Sequence, residues 1–114
     1  MINVYGIKNC DTVKKSLAWL DAQQMDYQFR DVRQQPLKTE EVLAWIEQLG
    51  TDALINKRSA SWRQLTDEQK KATDPTAVAQ LIIATPTLFK RPLVEDQYGF
   101  HLGFNAATWQ QRYV

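Results

Sequence analysis

A chain of 114 residues is large enough to bury one real hydrophobic core and too small for two ordinary domains. Its 14 Lys and Arg nearly balance 13 Asp and Glu, and 44% of its residues are hydrophobic. This composition argues against disorder and gives no general attraction to nucleic acid or to a membrane surface. No apolar run approaches the roughly 20 residues of a membrane span. The start "MINVYGIKNC" lacks the basic-then-apolar order of a secretory signal. Cys10 is the only cysteine, so no internal disulfide can form and nothing points to an oxidising compartment. The expectation is a soluble, cytoplasmic, monomeric protein that forms a single domain over residues 1–114.

Ile2, Val4, Tyr5 and Ile7 make a short β-branched run that reads as a buried strand. From Asp11 to Ala22, Val13, Leu17, Ala18 and Leu20 recur at helical spacing, with Lys14, Lys15 and Asp21 on the other face. "DYQFRDV", residues 26–32, alternates apolar and polar side chains and predicts a second strand. Strand, helix and strand in about 30 residues imply a parallel pair. Thr39 is expected to cap a helix that carries Val42, Leu43, Trp45, Ile46 and Leu49 inward and ends at Gly50. "NKRS" reads as a loop with Arg58 at its centre, followed by a short helix with Trp62 and Leu65. Asp74 and Pro75 open a further helix by the N-cap and first-turn rules. "TPTLFKRPLVED" and "YGFHLGF" predict a terminal hairpin, and a last helix is expected from Asn105. Trp19, Trp45, Trp62 and Trp109 all fall at helical core positions, and His101 reads as a solvent-facing strand residue. Without the middle helices the order is that of an α/β thioredoxin-like core. The expected fold is therefore a mixed four-stranded sheet with a helical lobe inserted at about residues 39–84.

The chemistry gathers at Cys10. A free thiol is mostly protonated at neutral pH, and helix N-terminal N–H groups, the helix dipole and nearby cations favour the reactive thiolate. Cys10 sits where strand gives way to helix, with Lys8, Asn9 and Lys14 close by in sequence; Asp11 works in the opposite sense. The competing reading is a small, inert, buried hydrophobe. The polar context "KNCDT" favours the nucleophile. No Cys/His/Asp group has metal-ligand spacing, and the four glycines are too scattered for a phosphate loop.

"YGIKNCDTVKKSLAWL", "LINKRSASWRQL" and "PTLFKRPLV" together resemble the arsenate-reductase-like family, which includes arsenate reductases, Spx regulators and YffB-type proteins. The likeness runs from residue 1 to the last helix and is nearest the YffB-type branch. It implies a thioredoxin-like fold with a helical insertion, and Cys10 as nucleophile. It also implies Arg91 as a substrate-binding residue joined by a cis bond to Pro92, with Pro92 bordering the thiol. The family's middle-loop arginine falls on Asn56 or Arg58 depending on register, and Arg58 is favoured. Lys8 and Asn9 are the remaining candidates, as tuners of the thiol and substrate contacts.

Three departures shape the expected activity. Ile7, Lys8 and Asn9 stand where arsenate reductases carry a histidine. No arginine accompanies "FHLGF". Val13 takes the fourth position of the C-x-x-C pattern frequent in Spx. A demanding oxyanion needs several cationic donors at once, so arsenate fits poorly. The expected function is that of a glutathione-dependent thiol reductase acting on a small anionic or thiol substrate. It would have no resident cofactor, and glutathione or a glutaredoxin-like donor would be its partner. The alternative is an Spx-like regulator that docks on RNA polymerase, kept open by the likeness of "LGTDALINKRS" to the Spx surface. Intact mass after incubation with oxidised glutathione separates the two.

Overall fold

The computed structural model describes Met1–Val114 and contains four strands and seven α-helices, β1(Ile2–Gly6), α1(Asp11–Ala22), β2(Tyr27–Asp31), α2(Thr39–Leu49), α3(Thr51–Leu54), α4(Ala60–Arg63), α5(Asp67–Lys70), α6(Pro75–Ala84), β3(Leu93–Asp96), β4(Gly99–Leu102) and α7(Ala106–Tyr113). A 3-10 turn at Pro86–Leu88 precedes β3. The chain divides into two compact units, one formed by Met1–Val32 with Arg91–Val114 and the other by Arg33–Lys90. No helix is long and apolar enough to cross a membrane.

The first unit is a mixed sheet in the order β2-β1-β3-β4. β1 runs parallel to β2, with Val4 opposite Phe29 and Gly6 opposite Asp31. It runs antiparallel to β3, which in turn pairs with β4. Side chains alternate faces along a strand, and directly opposed residues share a face. Val4, Val94 and His101 are opposed in turn across β1, β3 and β4, and so lie on one face. That face carries the core: Ile2, Val4, Val94, Leu20 of α1 and Trp109 of α7, with Leu17, Trp19, Phe29 and Phe104 packed around them. Asn105 caps α7 by accepting from the Thr108 N–H at 3.0 Å.

Gly6 is fixed by this packing. A Cβ there would meet Val13 Cγ2 at 2.7 Å, and Val13 is fully buried in the first turns of α1. The strand and the helix that follows Cys10 can approach so closely only because position 6 has no side chain. Gly6→Ala should lower stability by about 1–3 kcal/mol, the usual cost of overpacking, less the few tenths that the stiffer unfolded chain returns. A denaturation midpoint equal to wild type would show that α1 shifts freely.

The second unit is helical. α2 and α6 pack together, with Val42, Trp45, Ile46, Val78, Ala79 and Ile82 buried and Gln80 Nε2 donating to Thr39 Oγ1 at 3.1 Å. Gly50 closes α2 at φ +85°, a left-handed conformation that suits glycine. Trp45 lies 5.4 Å, centroid to centroid, from Phe89.

Several expectations need correction. Residues 86–90 are not part of the hairpin. Asn56 N–H donates to Leu88 O and Lys90 N–H to Leu54 O, both at 2.8 Å, so this backbone is committed to the helical unit, and Pro92 at the entry of β3 has no N–H to give. The cap of α2 is Lys38, one residue earlier than Thr39, and Glu41 Oε1 accepts from its N–H at 2.9 Å. α3 and α5 were not anticipated. Each is a single turn, too short to show periodicity. Trp62 is half-buried rather than core, whereas Trp19, also half-buried, packs against the core as expected. His101 does not face solvent: its side chain is 17% exposed, because α7 covers the face it shares with Val4 and Val94.

Candidate functional site

β1 delivers the chain to the candidate nucleophile. The carbonyl of its last residue, Gly6, accepts from the Val32 N–H at 2.9 Å, and Asp31 Oδ2 accepts from the Lys8 N–H at 3.2 Å. These two bonds tie the β1–α1 loop to the end of β2. Asp31 was not foreseen as a loop anchor; only knowing that β2 lies parallel beside β1 reveals it.

Cys10 is the N-cap residue of α1, with extended backbone (φ −135°, ψ 119°), and its carbonyl accepts the first helical bond from Lys14 N–H at 3.0 Å. Its thiol is free and half-exposed, and its side chain makes no capping hydrogen bond. The N–H groups of the first turn have no acceptor within the helix, and the positive end of the dipole favours an anion at this position. Below it Val13 is sealed against Gly6, and Ser16, also fully buried, donates to Val13 O at 2.7 Å. The fourth position from the thiol is therefore core. Lys8 and Asn9 are exposed, and the contact that orders Lys8 is made by its backbone.

The start of β3 reaches the same end of the sheet. Tyr5 is opposite Leu93, and Arg91 and Pro92 directly precede Leu93 beside the outgoing end of β1. The Arg91–Pro92 bond is cis. Pro92 is buried, and its carbonyl accepts from Gly103 N–H at 2.8 Å. Arg91 is half-buried, with its Nε shielded from solvent. Cys10, Arg91 and Pro92 thus share one unit and one sheet end. Arg58 belongs to the helical unit. It lies on the exposed Asn56–Ser59 loop, where its N–H donates to Asn56 Oδ1 at 3.1 Å and its carbonyl accepts from an Arg63 guanidinium N–H at 3.0 Å. No three His, Cys, Asp or Glu side chains gather to hold a metal ion.

A second polar cluster escaped the sequence reading because its members come from β3, β4 and α7. The Asp96 side chain is 3% exposed. It accepts from Arg112 Nε at 2.7 Å, a second Arg112 N–H at 2.9 Å, Tyr113 O–H at 2.6 Å and Tyr98 N–H at 2.8 Å. Burial alone would raise its pKa, but the Arg112 and Tyr113 hydrogen bonds overcome that and hold it at about 2. His101 Nε2 lies 2.7 Å from Tyr113 Oη; since Tyr113 gives its one proton to Asp96, His101 Nε2–H is the donor. Burial, with the nearby Arg112 charge, holds His101 below the usual histidine range.

A mixed sheet in the order β2-β1-β3-β4 that presents a single thiol at the N-cap of its first helix is that of a thioredoxin-like thiol protein. The chain belongs to the ArsC family, whose model matches residues 5–112. An uncharacterized protein from Haemophilus influenzae is 39% identical over 114 residues, covering all of both chains. The global transcriptional regulator Spx of Streptococcus pyogenes is 27% identical over 107 residues, which cover 92% of this chain and 79% of the regulator. Among solved structures, the YFFB protein superposes with a TM-score of 0.92 at 29% identity and full coverage of both chains. An arsenate reductase (ArsC) related protein from Brucella melitensis gives 0.78 at 29% identity, covering 98% of this chain and 93% of that one.

Proposed function

We infer that this chain is a cytoplasmic, monomeric, glutathione-dependent thiol reductase working through Cys10. The observation that carries the reading is the placement of a free, half-exposed thiol at the N-cap of α1. In the first step the Cys10 thiolate attacks the glutathionyl sulfur of a mixed disulfide. The Cys10–glutathione bond forms, the old S–S bond breaks, and the substrate leaves as a thiolate that takes a proton from water. Val13 offers no second thiol, so a second glutathione or a glutaredoxin-like donor attacks the adduct, releases glutathione disulfide or its mixed equivalent, and restores Cys10. Net, the substrate sulfur is released as a thiol and one external thiol is taken up into the departing disulfide, so one S–S bond is exchanged for another and Cys10 is unchanged. Arg91 holds a glutathione carboxylate by its two-pronged guanidinium, and Pro92 presents backbone to the tripeptide. Lys8 and Asn9, on the loop just before Cys10, add substrate contacts.

Arg91→Ala should raise KM for the glutathione mixed disulfide by about tenfold, the loss of one charge-assisted pair, with a smaller change in kcat. Arg91→Lys should recover only part, because an ammonium cannot make the paired fork. Equal KM values in all three proteins would remove Arg91 from the substrate site.

The likeness to Spx supports a second reading, a regulator that docks on RNA polymerase with no turnover. Incubation with oxidised glutathione followed by intact mass decides between them. A single adduct reversed by reduced glutathione supports the reductase, and an unmodified chain favours the regulator.

A further inference from the structure

The helical unit contains a cleft of about 670 Å³, within the size range of small-ligand pockets and unrelated to Cys10. Its floor is apolar and buried, formed by Ile55, Val78 and Leu88, while Trp62, Leu65 and Leu81 line it half-exposed. Three large apolar side chains left partly in water around one concavity are more than the scattered surface apolars of an ordinary face. The polar lining is one-sided in charge. Lys57, Lys70 and Lys71 line it against one carboxylate, Asp52, which meets Lys57 at 3.4 Å in an exposed, weak pair. The Lys57 and Lys70 ammonium groups lie 5.7 and 5.9 Å from the centroid of the same Trp62 ring. Solvated lysines on a helical surface repel and spread. Two that gather at one half-buried indole place positive charge at the edge of an apolar trough.

We propose that this cleft binds a small amphipathic carboxylate, with its aliphatic or aromatic tail along Trp62, Leu65 and Leu81 and its anionic head between Lys57 and Lys70. The tail removes the exposed apolar surface from water, and the head brings one negative charge to a lining whose three lysines face a single carboxylate. A neutral amphiphile would satisfy the first and not the second, and an inorganic anion the second and not the first. That double requirement defines the ligand class.

The test is a titration of the ¹⁵N-labelled full chain with sodium octanoate and, separately, with octanol. Octanoate should shift the amides of Gly50, Ile55 and Leu81 and the Trp62 indole N–H. The double substitution Lys57→Gln/Lys70→Gln should weaken octanoate about tenfold while leaving octanol unchanged. Trp62→Leu, which keeps an apolar wall, should weaken both. Octanoate that moves none of these resonances at millimolar concentration, or binds the lysine variant as well as wild type, overturns the proposal. So does an acidic amphipathic peptide that shifts them where octanoate does not, since the face is then a macromolecular contact. Shifts produced by raising the protein concentration alone also overturn it and assign the face to a second copy of the chain.

Discussion

Cys10→Ser should form no glutathione adduct and should reduce a glutathione mixed disulfide no faster than buffered glutathione alone. Serine keeps the size of the side chain and can cap α1, so the fold survives and the loss is chemical. Cys10 is the chain's single thiol, so no other residue can replace it. Wild type should gain the mass of one glutathionyl group and keep it until a second thiol is added, because Val13, which stands where a resolving cysteine would, is fully buried against Gly6. The same assay with arsenate and glutathione should give little turnover. Arsenate needs a ring of cationic donors, and no arginine accompanies Phe100–Phe104. Brisk arsenate reduction would change the substrate and leave Cys10 in its role. Activity surviving in Cys10→Ser would remove the mechanism.

How much of this was legible beforehand depended on the range of the interactions involved. β1, α1 and β2 are local objects. Their apolar periods, the stop after Ile7 and the polar "KNCDT" place Cys10 at a helix start without reference to anything distant, and α1 begins at Asp11 as the periodicity requires. Asp74 before Pro75 likewise announces α6, and Asp74 Oδ2 accepts from Ala77 N–H at 3.1 Å. The start of β3 was misjudged because the backbone of residues 88–90 bonds to Leu54 and Asn56, partners more than thirty residues away. α5 left a signal that went unread: Thr66 and Gln69 form a reciprocal capping box, at 3.1 and 2.8 Å. His101 was misplaced for a third reason. Alternation correctly separates it from Phe100 and Leu102, but alternation does not say which face a helix covers. Only the register that sets His101 beside Val94 and the packing of α7 through Trp109 turn that face into core. Arg112 and Tyr113, near the end of the chain, carried no motif at all. Their role comes from meeting Asp96.

Asp96→Ala should be the most destabilising single substitution in the sheet unit, at about 3–5 kcal/mol, the cost of removing one partner from a buried ion pair. The carboxylate takes four hydrogen bonds and joins the β3–β4 turn to α7, so its loss strands the half-buried Arg112 guanidinium and the Tyr113 hydroxyl together. Asp96→Asn keeps the shape but not the charge and should cost less, about 1–3 kcal/mol. The cluster also fixes the response to acid. Asp96 is held at about 2 against an ordinary 3.8, so its contribution is complete above 3.8 and is lost as pH falls toward 2, amounting to about 2 kcal/mol. His101 is held below 6.5, chiefly by burial. The unfolded chain therefore takes a proton below that pH which the folded chain refuses, and stability again declines as pH falls. The two groups act in the same direction in separate windows, so the urea midpoint should drop first below pH 6.5 and again below 3.8. His101→Phe preserves an aromatic ring against Trp109 and leaves the Tyr113–Asp96 bond in place, so it should abolish the upper step and retain the lower. An upper step that survives in His101→Phe would belong to another group. An Asp96→Ala midpoint close to wild type would mean that Arg112 and Tyr113 recover their hydrogen bonds from water, and that the apolar face of Val4, Val94 and Trp109 holds α7 by itself.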